Sequence, residues 1–231
     1  MTASGTYAFS PGNGELVLAA YERIRIRTPS LRQEHMLSAR REVNFMFGSW
    51  SNKQVNLWEV LRTQTTLTAG TETYSIDAKT IMILDASIVL NYGTSSESRR
   101  YITPISRTEY LSFANQQVSG PPTCYWFDRL ISPTITFWPV PDSNGPYTFD
   151  YFSCTQMQDA NLASGETPDV PYRWFDCIVA GMSHRLARIY APDLEAQRKS
   201  DADEAWMIAA AQDTESVPVR IAPGIGAYYR R

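Results

Sequence analysis

The hydrophobic period of this chain changes twice, and that switch limits the fold more than any other feature. Over residues 15–51 apolar side chains recur every three or four positions: Leu16/Val17, Ala20 and Ile24, then Met36, Ala39, Val43, Met46/Phe47 and Trp50. Such spacing places them on one face of a helix. Thr28-Pro29 reads as the N-cap and first position of the second helix, which over residues 29–51 would run about 34 Å. From residue 57 the pattern becomes that of strands. Runs rich in Thr, Val, Ile and Tyr alternate with turn clusters such as Asn91-Tyr92-Gly93 and Ser119-Gly120-Pro121-Pro122. Residues 57–67 and 71–77, with Ala69-Gly70 between them, read as a hairpin. Further strands are predicted over 81–92, 100–104, 123–127, 134–139 and 147–152, with a helical turn inside 108–117. After Pro168 the helical spacing returns in Trp174, Ile178, Met182, Leu186 and Ile189, and again in Ala202, Ala205, Trp206 and Ala209.

The four helices must bury their stripes, and the economical solution is to bury them on each other. The expected fold is therefore α+β: an antiparallel helical bundle built from both chain ends, with an inserted small antiparallel β-domain. In segments, residues 1–14 form a flexible lead, and 15–54 with 168–216 form the bundle. Residues 55–160 form the β-domain. Residues 217–231 hold two prolines and two glycines, cannot continue a helix, and form an extended C-terminal arm.

Composition narrows the function. Hydrophobic residues make up 43% and charged residues 19% of the 231, enough apolar material for a core. A net charge of −3 argues against a general nucleic-acid coat, which needs a basic surface. Cys124, Cys154 and Cys177 are odd in number and in no C-x-x-C pair, so they read as buried thiols of a reducing compartment. The first fourteen residues hold no Lys or Arg and no apolar run, unlike a secretory signal. No stretch approaches the roughly 20 apolar residues of a membrane span. Synthesis in the cytosol is expected.

Catalytic chemistry finds little support. His35 and His184 stand alone within predicted helices and in no H-x-x-x-H or H-E-x-x-H spacing, so each reads as a histidine satisfied by a neighbour. No G-x-S-x-G, Walker-type loop or G-x-G-x-x-G is present, and Gly224-Ile225-Gly226 lies outside any strand–helix context. The carboxylates of the last helix lie along a polar face beside Arg198 and Lys199. A glycosidase pair instead needs two carboxylates facing across a cleft. The expectation is no enzyme, no catalytic residue, no metal and no cofactor.

Four local phrases carry a resemblance. They are Phe45-Met46-Phe47-Gly48-Ser49-Trp50, Leu67-Thr68-Ala69-Gly70-Thr71-Glu72-Thr73-Tyr74-Ser75-Ile76, Phe137-Trp138-Pro139-Val140-Pro141, and Val170-Pro171-Tyr172-Arg173-Trp174. In this order, within this layout, the chain resembles the head-to-tail connector (adaptor) and packaged-DNA stabilisation proteins of short-tailed phages. The resemblance implies a virion structural protein of the neck, assembled in the host cytoplasm. It further implies a ring of twelve copies docked under the portal protein, with the C-terminal segment reaching into the portal. Tail nozzle or tail fibre proteins would bind below, and double-stranded DNA would pass through the channel without sequence readout. No membrane contact is implied.

Three segments are candidates for these roles. Residues 192–216 hold seven acids (193, 195, 201, 203, 204, 213 and 215) against two bases, a balance of −5. Asp201, Asp203 and Glu204 at its centre are candidates for channel lining, since a repeated acidic face would repel phosphate; a solvated surface is the plainer alternative. Arg23, Arg25, Arg27, Arg32, Arg40 and Arg41, offset by Glu22, Glu34 and Glu42 to +3, suit pairing with an acidic face of a neighbouring subunit, DNA contact or plain solvation. The arm carries Val217, Val219, Ile221, Ile225, Tyr228 and Tyr229 and ends on Arg230-Arg231; it could reach about 50 Å. From Val219 onward these are the candidate portal-binding residues. One arm alone would bind marginally, whereas a ring of arms binds tightly through effective concentration.

Two alternatives come from other classes. One is a virion-associated cell-wall hydrolase, which lacks a credible acid–base pair. The other is a glycan-binding tail component using Tyr125, Trp126, Phe127, Phe137 and Trp138, rings whose spacing also suits core packing.

Overall fold

The computed structural model describes residues 5–54, 56–162 and 165–214. Two helices, α1 (Asn13–Arg23) and α2 (Gln33–Ser51), precede eight strands and a short helix. These are β1 (Val60–Leu67), β2 (Thr73–Ser75), β3 (Thr80–Leu90), β4 (Ser98–Tyr101), β5 (Thr103–Pro104), α3 (Arg107–Ser112), β6 (Cys124–Asp128), β7 (Thr134–Trp138) and β8 (Tyr147–Thr155). Helices α4 (Phe175–Tyr190) and α5 (Glu195–Gln212) follow. The fold is mixed α+β, as the change of period predicts.

Helix α4 is the hub of the helical part and packs against α1, α2 and α5. Its stripe behaves as the spacing requires: Trp174 just before it, then Ile178, Met182 and Leu186, are all 2% exposed or less. Ile189 is the exception and is exposed, because the last turn runs past the buried stretch that ends at Ala187. From α2 come Ala39, Val43, Met46, Phe47 and Trp50, and from α1 Leu16, Val17, Ala20 and Tyr21. Helices α2 and α4 approach closely at Gly181, where an added Cβ would stand 2.6 Å from Met46 Sδ. At the centre four indoles pack together. Trp174 lies 5.1 Å from Trp50, 5.0 Å from Trp58 and 5.0 Å from Trp206 by ring centroids.

The start of α2 departs from the sequence expectation. Thr28–Ser30 is a separate 3-10 turn, Leu31 and Arg32 are extended, and the helix begins at Gln33. Proline fits the first turn of either helix type, so Pro29 marked a helical start without saying which one. The cap falls instead to His35, whose Nδ1 accepts the Arg32 N–H at 3.1 Å. Helix α1 stops where Arg25 enters the left-handed region at φ 65°.

The strands form two four-stranded sheets, ordered β1-β8-β3-β4 and β2-β7-β6-β5. The first is antiparallel throughout, whereas β5 joins β6 in parallel, so the second sheet is mixed rather than antiparallel. The expected hairpin of β1 with β2 does not form. Strand β1 pairs along its full length with β8, from Val60 opposite Cys154 to Leu67 opposite Tyr147, while β2 pairs with β7. Ala69-Gly70 does turn the chain, with Gly70 at φ 77°, but the turn is a corner between sheets. Eight paired residues outweigh the three that β2 could offer. Leu67, Ile88, Phe149 and Tyr151 of the first sheet meet Tyr125, Ile135 and Phe137 of the second in a separate core.

The chain returns from β8 to the helices along α2. Asn44 accepts the Ala160 N–H at 2.8 Å and donates to the Ala160 carbonyl at 3.0 Å. Asn13, at the first turn of α1, donates to the Asn161 carbonyl at 2.9 Å. Two short amides thus tie α1 and α2 to the strand exit.

Candidate functional site

The two histidines and three cysteines each have a definite place in the fold. His35 caps α2 and packs between Tyr21 and Tyr190, 5.8 and 4.8 Å from their rings. His184 meets Glu195 at 3.0 Å. The three cysteines are buried and unbonded to one another, and burial pushes the Cys177 thiol up to about 12. Among the described residues no three His, Cys, Asp or Glu side chains group as a metal site would need. No described helix is long and apolar enough to cross a membrane.

A groove of about 310 Å³ lies between α2, α4 and α5 and is lined by Trp50, Lys53, His184, Arg185, Arg188 and Asp203 among others. Its cations are already engaged. Arg185 faces Glu42 at 3.5 Å, Arg188 faces Glu195 at 3.5 Å, and Lys53 sits over the Trp206 ring at 4.2 Å. This groove braces three helices and offers no convergent anion site.

The aromatic residues of the strands are likewise used in packing. Tyr125 and Phe137 are buried, Trp126 packs on Tyr110, and Trp138 stacks on Phe113 at 4.1 Å. Phe127 packs against the core between the sheets. Trp126, Phe127 and Trp138 are half-buried, and the two indoles each have one ring neighbour from the segment around α3.

On the outer face of the first sheet, the buried Asp150 accepts from Arg62 Nε at 2.9 Å and Nη2 at 2.7 Å, and also from Arg99. These partners, Arg62 foremost, hold its carboxyl at about 2 against burial, which acts the other way. A folded pKa below the unfolded one contributes stability that is present above the ordinary carboxylate range and lost as pH falls through about 2. Urea unfolding should therefore show a loss of about 2 kcal/mol between pH 5 and pH 2 that Asp150→Asn lacks. Equal acid limbs in the two proteins would show that the cluster does not set this dependence.

The acidic segment is less uniform than its count suggests. Glu195 is held by His184 and Arg188, and Asp201 pairs with Arg198 at 2.8 Å. Asp213 turns inward, 6% exposed, and receives Arg173 at 2.6 Å. Asp203 and Glu204 are exposed on α5, and Asp201 is half-buried beside them. Glu215 lies outside the described residues, as do Val217, Val219, Ile221, Ile225, Tyr228, Tyr229, Arg230 and Arg231. On the opposite-sign segment Arg23 pairs with Asp176 at 2.7 Å, while Arg25, Arg27, Arg32, Arg40 and Arg41 are exposed.

Four further exposed side chains escaped the sequence reading: Leu37 and Phe45 on α2, and Met207 and Ile208 on α5, each between 59% and 65% exposed. The signal was present, since all four lie off the stripes that predict burial.

No curated protein matches the chain. The model of one family, the SU10 adaptor protein, matches residues 31–222, from the approach to α2 through α5 and beyond. With that match over most of its length, this protein belongs to the SU10 adaptor family of phage structural proteins.

Proposed function

We propose that the chain is a ring-forming head-to-tail connector, which docks on the portal, helps to retain packaged DNA and attaches the tail. The family match over residues 31–222 carries this reading. The structure supports it indirectly. Its helical part and its strand part have separate cores, so one can face the portal while the other faces a tail nozzle or fibre protein. Twelve copies around a channel would pass double-stranded DNA without sequence readout, in keeping with a net charge of −3. Assembly in the host cytoplasm and a final place in the virion neck follow from the same role.

The portal anchor is the C-terminal arm, residues 217–231. The apolar spacing of Val219, Ile221, Ile225, Tyr228 and Tyr229 suits a segment that docks on a partner. The test is a pull-down with negative-stain imaging, using the purified full chain and its phage's intact portal ring. The full chain should stack rings on the portal. A chain lacking residues 222–231 should keep its far-UV spectrum and lose portal binding at least tenfold, because each ring loses every arm at once. Normal incorporation of the shortened chain would refute the anchor. No binding by the full chain would refute the connector.

A further inference from the structure

We infer that the exposed face of α2 docks on the exposed face of α5 in a second copy of this chain, so that a ring closes through two different helix surfaces. This rests on the ring-forming reading above and names the surfaces that would build it.

The α2 face is apolar and basic. Leu37, Arg41 and Phe45 follow one another at steps of four, with Arg40 and Gly48 beside them, and all five are exposed. Leu37 is 60% and Phe45 59% exposed, while the opposite side of α2 is buried in the helical core. The α5 face is apolar and acidic. Met207 and Ile208, 65% and 64% exposed, share a stripe with Asp203, Glu204 and the small residues Ser200 and Ala211. Leu37 to Gly48 and Ser200 to Ala211 each span about 16 Å of helix, so the two patches are of matching length.

Charge chooses the partner. Two α2 faces brought together would set four arginines against each other, and two α5 faces would do the same with carboxylates. Only α2 against α5 pairs Arg40 and Arg41 with Asp203 and Glu204 while the four large apolar side chains leave water together. Small residues on α5 and Gly48 on α2 allow close approach of the helices. A contact between unlike faces is heterologous and generates a ring when its rotation closes. Asp203 and Glu204 then stand at a subunit boundary instead of on the channel wall.

Reversing the charges on one face tests this. The R40E/R41E and D203K/E204K double variants alter exposed side chains, so tryptophan fluorescence and far-UV spectra should match wild type. Assembly is followed by mass photometry, alone and on the intact portal. Each variant should need about tenfold or more protein for half-assembly. An equal mixture of the two should recover it, because every contact then joins either two native faces or two reversed ones. If both variants assemble like wild type, or if the mixture stays unassembled, the α2–α5 contact is overturned while the ring survives. If the wild-type chain assembles neither alone nor on the portal, the ring reading itself fails and this contact with it.

Discussion

Replacing Trp174 by alanine is expected to cost about 4 kcal/mol of stability, enough to unfold a large fraction of a marginal protein near physiological temperature. The indole is fully buried and is shared by four segments of the chain. It touches the ring of Trp50 from α2, that of Trp58 from the link to β1 and that of Trp206 from α5, while its own residue opens α4. Deleting it leaves a cavity that no single helix can collapse into without breaking with another. Its Nε1 has no hydrogen-bond partner among the described residues, so Trp174→Phe removes a buried orphan donor together with part of the packing. The phenylalanine variant should lose only about 1–2 kcal/mol. Tyr172→Ala, two residues away and 79% exposed, should lie within about 0.5 kcal/mol of wild type. Urea unfolding followed by far-UV dichroism orders the three. If Trp174→Ala and Tyr172→Ala unfold at the same urea concentration, the tryptophan cluster is not what joins the helices.

How much of this could be read from the sequence depended on whether local pattern or distant pairing decides each element. The helices were legible because Ala39, Val43, Met46 and Trp50, and later Ile178, Met182 and Leu186, keep a helical step over several turns. The strands were legible as strands, since turn residues and β-branched runs are local. Their partners were not. Leu67-Thr68-Ala69-Gly70 looks like one arm of a hairpin until β8, eighty residues on, offers β1 a longer ladder. Pro29 announces a helical turn equally well before a 3-10 turn and before α2. The inward turn of Asp213 was hidden for a different reason. A charge count along α5 treats Asp213 like Asp203, yet one is drawn inward by Arg173 and the other faces water. The same counting passed over Met207 and Ile208, whose meaning lies in being apolar on the wrong side of a helix.

Asp213 illustrates how much such a turn inward can matter. It ends α5 and accepts from three places: Arg173 just before α4 at 2.6 Å, the Leu57 N–H ahead of β1 at 3.3 Å, and Gln54 after α2 at 3.5 Å. One carboxylate thus holds the end of the last helix, the entry to α4 and the link from the helical part to the first sheet. Arg173 also lies over the Trp58 ring at 5.9 Å, which ties the same knot to the tryptophan cluster. Asp213→Ala should therefore cost about 3 kcal/mol, because it leaves a half-buried guanidinium and a backbone N–H without their acceptor. Much of that loss is the strain of an unanswered charge and not the worth of the pair. An Asp213→Leu, Arg173→Met double variant should accordingly recover most of the stability, as apolar replacements of buried ion pairs do. The sharper readout is local. Exchange of the Leu57 amide should accelerate in both variants, since neither supplies its acceptor, while global stability separates them. Unchanged Leu57 exchange in Asp213→Ala would mean that the carboxylate holds only Arg173. In that case the link between helices and strands would rest on Asn44 and Asn13 at the exit from β8.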